Sequence, residues 1–325
     1  MRFIVKSFST ITVLFLLALF PSAAQDTMIG LEDLRLPGLT EYASPENRRP
    51  LALGEVTDIT LSARLTNESD TIQDGIVWRV FAPEPDADGK LPLVATAEGG
   101  TSGLSLPPGS YLVHAAFGRA GATKRITVNG GPQVEQLVLD AGGLKLNAVL
   151  PDGVPIPAER LRFSIYEDKA DERGGRALII PDVRPDTVVR LNAGTYHVVS
   201  TYGSVNAVIR SDIRVESGEL TEATVEHRAA QLTLKLVREP GGEAIADTAW
   251  SVLTETGEIV RETVGAFASM VLAEGQYTVV AKNRDRIYQR DFIVAPGLNQ
   301  VVEILPEDLL MPGEDELANH QASLD

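Results

Sequence analysis

The chain has 325 residues, 44% of them hydrophobic, and a formal net charge of -16 at pH 7. This length is typical of two or three domains. The negative charge argues against binding nucleic acid or an anionic membrane through a global positive field. The chain contains no cysteine, which excludes thiol nucleophiles, iron–sulfur clusters and thiolate zinc sites.

Residues 1–24 have the order of a signal peptide. Two basic residues stand near the start, an apolar run follows, and a Ser-Ala-Ala tripeptide ends at Ala24. The apolar run is shorter than the ~20 residues that a membrane-spanning helix needs. We therefore expect cleavage after Ala24 and a mature chain without a transmembrane segment. Because exported eukaryotic β-sandwich proteins usually carry disulfides, the missing cysteines favour the periplasm of a Gram-negative bacterium.

One motif, Leu-x-x-Gly-x-Tyr, occurs three times. It spans Leu106–Tyr111, Leu191–Tyr196 and Leu272–Tyr277. Each copy is followed by a run in which apolar and polar residues alternate, which is typical of a half-buried strand. This repetition predicts that one β unit of roughly 75–90 residues is present three times in tandem.

A large aromatic residue precedes each motif tyrosine. It is Trp78, Phe163 or Trp250, and the distance to the tyrosine is 33, 33 and 27 residues respectively. The third unit therefore has a shorter loop, where length changes are tolerated. We place repeat 1 at 51–140, repeat 2 at 141–230 and repeat 3 at 231–305. The predicted fold class is all-β, with three tandem Ig-like or transthyretin-like β-sandwich domains after a signal peptide.

The motif residues have predicted structural roles. The glycine should relieve a turn with unusual backbone angles. The tyrosine should form a tyrosine corner, with its ring packed inward and its hydroxyl tied to nearby backbone. The preceding aromatic residues should be the large residues of the three cores.

Two segments flank the repeats. Residues 25–50 combine prolines with mixed polar residues and weak periodicity, which predicts an extended arm or linker. Residues 306–325 are dominated by acidic residues, proline and glycine, which predicts an acidic disordered tail.

The openings of repeats 2 and 3 have a common pattern. Residues 143–156 read Gly-Leu-Lys-Leu-Asn-Ala-Val-Leu-Pro-Asp-Gly-Val-Pro-Ile, a strand followed by a turn and a short apolar step, and residues 232–245 follow the same order. With the downstream Gly-x-Tyr, the pattern resembles carboxypeptidase-regulatory-like (transthyretin-like) domains and is similar to Cna-type B domains. The resemblance covers residues 141–305 well and 51–140 loosely. It implies β-sandwiches and leaves function open, since such folds serve many roles.

The sequence contains no catalytic constellation. Its four histidines, His114, His197, His227 and His320, have no metal-ligand spacing, and no nucleophile elbow, phosphate loop or dinucleotide fingerprint is present. We predict no catalytic residue, no cofactor, no metal and no enzymatic activity. One alternative stays open. Asp86 and Asp88 precede Gly89 as acids do in calcium loops, although the later bidentate glutamate is missing.

One basic cluster interrupts the acidic sequence. Lys282, Arg284, Arg286 and Arg290 lie near a predicted hairpin tip in repeat 3. They are our candidate partner-binding residues, for an envelope protein or an anionic polysaccharide. We expect a non-enzymatic exported scaffold or interaction module of the bacterial cell envelope. The alternative is a glycan-binding accessory module of a polysaccharide-processing system, which a row of exposed aromatic residues would favour.

Overall fold

The computed structural model describes residues 56–310, all within one compact unit. The predicted signal peptide, the arm at 25–50 and residues 311–325 of the predicted tail lie outside the described residues. The described chain consists of three tandem β-sandwiches, each with one three-stranded and one four-stranded sheet. The predicted all-β fold class is confirmed.

Repeat 1 contains strands β1 to β7. Their bounds are β1 Thr57–Arg64, β2 Val77–Phe81, β3 Leu93–Glu98, β4 Ser102–Leu106, β5 Gly109–Phe117, β6 Ala120–Val128 and β7 Gln133–Val138. The three-stranded sheet has the order β4-β1-β7, and the four-stranded sheet has the order β3-β2-β5-β6.

Repeats 2 and 3 reproduce this topology. The strands of repeat 2 are β8 Ala141–Val149, β9 Leu161–Ala170, β10 Arg176–Val183, β11 Val188–Asn192, β12 Gly194–Tyr202, β13 Val208–Val215 and β14 Leu220–Glu226. The strands of repeat 3 are β15 Ala229–Leu236, β16 Ala249–Thr254, β17 Ile259–Val264, β18 Phe267–Ala273, β19 Gly275–Asn283, β20 Arg286–Val294 and β21 Gln300–Ile304. Their sheet orders are β11-β8-β14 with β10-β9-β12-β13, and β18-β15-β21 with β17-β16-β19-β20.

In every repeat the first strand pairs with two others in the small sheet. It pairs antiparallel with the fourth strand and parallel with the seventh, so β1 lies between β4 and β7. β8 and β15 pair in the same way in repeats 2 and 3. The first and last strands of each repeat are therefore direct neighbours.

A separate apolar core fills each sandwich. The predicted aromatic residues Trp78, Phe163 and Trp250 are each at most 1% exposed and belong to the three cores. The two indole N–H groups donate to the carbonyls of Gly99 and Gly265, at 3.1 and 2.9 Å. Because a buried indole N–H needs a partner, these bonds fix the orientation of both rings.

All three motif tyrosines form tyrosine corners. The hydroxyls of Tyr111, Tyr196 and Tyr277 donate to the carbonyl oxygen four residues upstream, at 3.0, 2.8 and 3.0 Å. The glycine two residues before each ring has a φ of 158°, 155° or 150°, a conformation that favours glycine. The motif thus joins the small sheet to the large sheet in the same way in each repeat.

Residues 306–310, which the sequence assigned to a disordered tail, pack on repeat 3. Pro306–Asp308 form a short 3-10 helix. Leu309 then makes an isolated antiparallel bridge to Tyr288, and the Leu310 amide donates to the Ile287 carbonyl at 2.9 Å. The ordered chain therefore extends past the predicted boundary at 305, along the outer edge of β20.

Candidate interaction site at the repeat 3 hairpin tip

The candidate basic residues lie around the turn between β19 and β20. This turn consists of Arg284 and Asp285, and Arg284 has a φ of 54°. The side chains of Lys282, Arg284 and Arg286 are exposed. Within residues 56–310, none of these three forms an ion pair. The neighbouring acid Asp291 instead accepts a hydrogen bond from Thr278 at 2.7 Å. We call Lys282, Arg284 and Arg286 the basic tip.

The fourth candidate, Arg290, lies away from the basic tip. It is opposite Val279 in the β19–β20 register, on the side of the sheet that carries buried Tyr288. Its Nη1 donates to the Glu303 carbonyl at 2.9 Å and forms an ion pair with Asp308 at 3.3 Å. Arg290 therefore anchors the segment that follows β21, and its charge is partly neutralised.

The equivalent tip of repeat 1 is packed against repeat 2. The Arg119 amide donates to the Arg190 carbonyl at 3.1 Å, and the Arg190 guanidinium lies 4.3 Å from the centre of the Phe117 ring. The Asn192 side chain bridges both backbone groups of Gly121, at 3.1 Å each. This contact is the junction between repeats 1 and 2.

The tip of repeat 2 is packed against repeat 3, here with the asparagine on the tip side of the junction. The Asn206 side chain accepts a hydrogen bond from the Ala273 amide at 3.0 Å and donates to the Tyr277 hydroxyl at 2.8 Å. Val205 packs against the core of repeat 3, and Val271 of repeat 3 is buried in the core of repeat 2. Neither Asn192 nor Asn206 was identified from the sequence, because they occupy different repeat positions and share no motif.

Two histidines are buried and neutral. His227 is 1% exposed, and its Nε2 lies 2.7 Å from the Ser200 hydroxyl. Burial lowers its pKa to about 4. Burial, with the positive charge of Arg79 as a second cause, lowers the pKa of His114 to about 4 as well. We interpret both histidines as packed polar residues, because His114, His227 and the Ser200 hydroxyl beside His227 are all buried away from solvent.

The acidic loops form hairpin turns. Asp86 Oδ1 accepts hydrogen bonds from the amides of Asp88 and Lys90, at 2.9 and 3.0 Å. Asp171 accepts from the amides of Arg173 and Gly175 in the equivalent loop of repeat 2, at 2.9 and 2.7 Å. In both loops the aspartate side chain caps the backbone of the turn, which accounts for an acidic residue at this position. Among residues 56–310 no cluster of three or more His, Asp or Glu side chains could hold a metal ion.

Comparison with known proteins gives one family match. Residues 231–306 match the family model described as the Rhizobiales growth-associated tandem repeat domain, which corresponds to repeat 3. No curated protein matches the chain. The part of the chain that the structure describes has no helix long and apolar enough to cross a membrane.

Several solved structures are similar to this chain at low identity. The Bacillus anthracis TIE protein is 19% identical with a TM-score of 0.23, covering 77% of this chain and 50% of that protein. The Streptococcal ancillary pilin is 12% identical with a TM-score of 0.30, covering 77% and 99%. The minor pilin GBS52 of Streptococcus agalactiae is 13% identical with a TM-score of 0.30, covering 53% and 95%. Similarity at this level carries no argument about function.

Proposed function

We propose that this protein is a non-enzymatic, exported, modular scaffold of the bacterial cell envelope that binds an anionic partner through the basic tip. The observation that carries the proposal is the position of that tip. In repeats 1 and 2 the corresponding hairpin tip is a contact surface for the next sandwich. In repeat 3 the tip is exposed and carries three cations without an ion-pair partner among residues 56–310.

The electrostatics of the molecule favour an anionic partner at this site. The chain as a whole is strongly acidic, so its overall field disfavours polyanions, and a cluster of unpaired cations is where one could bind. A local basic tip then determines both the orientation and the rate of encounter. Export rests on the predicted signal peptide. The periplasm of a Gram-negative bacterium is part of the proposal and rests on the missing cysteines.

The partner is an acidic envelope protein or an anionic polysaccharide. The glycan-binding alternative would be supported by a row of exposed aromatic rings. Among residues 56–310 the only exposed aromatic side chain is that of Phe267, which is 58% exposed. A single ring provides no extended stacking platform, so the geometry favours charge recognition. That the repeats are carboxypeptidase-regulatory-like domains, and not only β-sandwiches, is also part of this proposal.

Charge reversal tests the proposal. We expect Arg284→Glu with Arg286→Glu to weaken binding to an anionic probe by about tenfold at low salt, with a smaller loss at high salt because the charges are exposed. Polyglutamate represents an acidic protein face and alginate an anionic polysaccharide. Crosslinking in intact cells should show the same loss for the natural partner.

The matched control reverses two exposed cations at another hairpin tip. Lys169 lies at the end of β9 and Arg173 in the loop that follows it in repeat 2; both are exposed, and their replacement by Glu changes the net charge by the same amount. The control should bind both probes almost as the parent chain does. Equal losses in both variants would show that only net charge matters, and unchanged binding in the tip variant would refute the site.

A further inference from the structure

The two junctions between repeats use one shared contact. In each, the hairpin tip that follows a corner tyrosine lies against the fourth strand of the next repeat, β11 or β18. The tip residue seven positions after the tyrosine is Gly118 in repeat 1, Gly203 in repeat 2 and Arg284 in repeat 3. The facing strand residue, one position before the motif leucine, is Arg190 or Val271.

Both junctions have a glycine where a side chain would press on the next repeat. A Cβ atom on Gly203 would lie 2.7 Å from Val271 Cβ, and one on Gly118 would lie 3.0 Å from Arg190 Cβ. The first distance is shorter than packed carbon atoms adopt, and the second would need a shift of a few tenths of an ångström. The facing atoms are Cβ atoms, which are fixed to the backbone and cannot rotate away. A side chain at Gly203 would therefore separate repeats 2 and 3, and one at Gly118 would strain the first junction.

The receiving side offers hydrogen-bonding groups at one shared motif position, the residue after the motif leucine. At the first junction this residue is Asn192, whose side chain bonds to both backbone groups of Gly121, at 3.1 Å each. At the second junction it is Ala273, whose amide donates to the Asn206 side chain at 3.0 Å. The same motif position is therefore where each repeat receives the preceding one.

The outward sides of repeats 1 and 3 lack these features. Repeat 1 has Pro107 at this receiving position, and proline has neither a backbone N–H to donate nor a polar side chain. Repeat 3 has Arg284 at the tip position, with a Cβ atom and a charged side chain. Its positive φ of 54° is close to the 66° and 77° of Gly118 and Gly203, so the backbone shape is retained while the surface is changed.

We infer that the residue at the tip position decides whether a repeat accepts a following sandwich, and that Arg284 with Pro107 prevents a second copy of this chain from docking head to tail. Such docking would add a sandwich to the array through the existing junction contact. These residues prevent it by steric exclusion at one end and by missing donors at the other. The inference does not depend on whether the basic tip binds an anion.

The first experiment transfers the repeat 3 tip residue to repeat 2. Because the chain has no cysteine, spin labels at Arg173→Cys and Glu255→Cys report the distance between repeats 2 and 3 without background labelling. We expect one narrow distance in the parent chain and a broad distribution after Gly203→Arg. The control is Gly241→Arg, because Gly241 also has a φ of 77° but nothing within 4 Å of its Cβ position. It should keep the narrow distance.

The second experiment traps contacts between copies. Asp285→Cys and Ser105→Cys place one thiol at each outward surface of the same chain. Under mild oxidation we expect almost no intermolecular disulfide when Arg284 and Pro107 are present. Adding Arg284→Gly and Pro107→Asn should produce head-to-tail oligomers, visible on a non-reducing gel.

Several outcomes would overturn the inference. A narrow distance retained in Gly203→Arg would show that the tip glycine is not required. Equal broadening in Gly241→Arg would assign the effect to backbone strain. Ready crosslinking with Arg284 and Pro107 in place, or no increase after their replacement, would show that these residues do not prevent docking.

Discussion

Removing the corner tyrosine hydroxyls one at a time should destabilise the repeats unequally. Tyr111→Phe removes one hydrogen bond, to the Pro107 carbonyl. Tyr277→Phe removes two, because that hydroxyl donates to the Ala273 carbonyl and also accepts from Asn206 of repeat 2. The ring and its packing are retained in both variants.

The difference in the loss of unfolding free energy between the two variants measures what the Asn206–Tyr277 hydrogen bond contributes to the junction. One buried hydrogen bond contributes about 1 kcal/mol net to stability. Removing one of its groups costs more when the other group is left buried without a hydrogen-bond partner. We expect about 1 kcal/mol for Tyr111→Phe and about 2 kcal/mol for Tyr277→Phe. With a denaturant slope near 1 kcal/mol/M for a domain of this size, the urea midpoint of repeat 3 should fall about 1 M further than that of repeat 1.

The two tryptophans allow each repeat to be followed separately. Trp78 is in repeat 1 and Trp250 is in repeat 3, and repeat 2 has Phe163 at the equivalent position. Replacing one tryptophan with Phe leaves fluorescence from the other repeat alone. Tyr277→Phe is then measured in a Trp78→Phe chain, and Tyr111→Phe in a Trp250→Phe chain.

A double-mutant cycle completes the test. Asn206→Ala combined with Tyr277→Phe should cost less than the sum of the single changes, because they remove a shared bond. Asn206→Ala combined with Tyr111→Phe should be additive. Equal costs for the two tyrosines, together with additivity of Asn206→Ala and Tyr277→Phe, would refute an energetic role for this junction bond.

Three further predictions concern pH, metal and export. His227 has a folded pKa near 4, below its unfolded value of 6.5, so its contribution to stability is complete above pH 6.5 and declines by up to about 3 kcal/mol as the pH falls towards 4. Urea unfolding at several pH values should show this decline, and it should be smaller in His227→Gln. Thermal melts with chelator and with calcium should superimpose, whereas a calcium-dependent rise abolished by Asp88→Ala would make that loop a metal site. N-terminal sequencing of the exported protein should begin at Gln25, and a chain that retains Met1 would contradict signal-peptide cleavage.

The sequence predicted the features that repeat within it. Three copies of the Leu-x-x-Gly-x-Tyr motif and an aromatic residue at similar spacing were sufficient for the sandwich architecture, because each sandwich needs the same corner and the same large core residue. Arg290 has the parity of Tyr288 and Phe292, which places it on the inner side of β20. Arg286 shares this parity but lies at the turn, so it is the position along the strand that separates Arg290 from the basic tip.

The junctions could not be predicted from the sequence. Asn206 bonds to Tyr277, 71 residues away, and Asn192 bonds to Gly121, also 71 residues away. Such bonds depend on how two folded units meet, and neither hydrophobic periodicity nor turn chemistry encodes that. The residues at the tip position, Gly118, Gly203 and Arg284, can be read from the sequence. That glycine is needed for packing there follows only from the short distance between Gly203 and Val271 in the folded molecule.

The parallel pairing of first and last strands has a mechanical consequence. A pulling force on a repeat enters through β1 and leaves through β7, or through the corresponding strands of repeats 2 and 3. These strands are direct neighbours and run in the same direction, so the force loads their hydrogen bonds in shear. The bonds between the strands then share the load and fail together, instead of opening one after another. Each repeat is thus built to hold its length under tension until it yields as a whole.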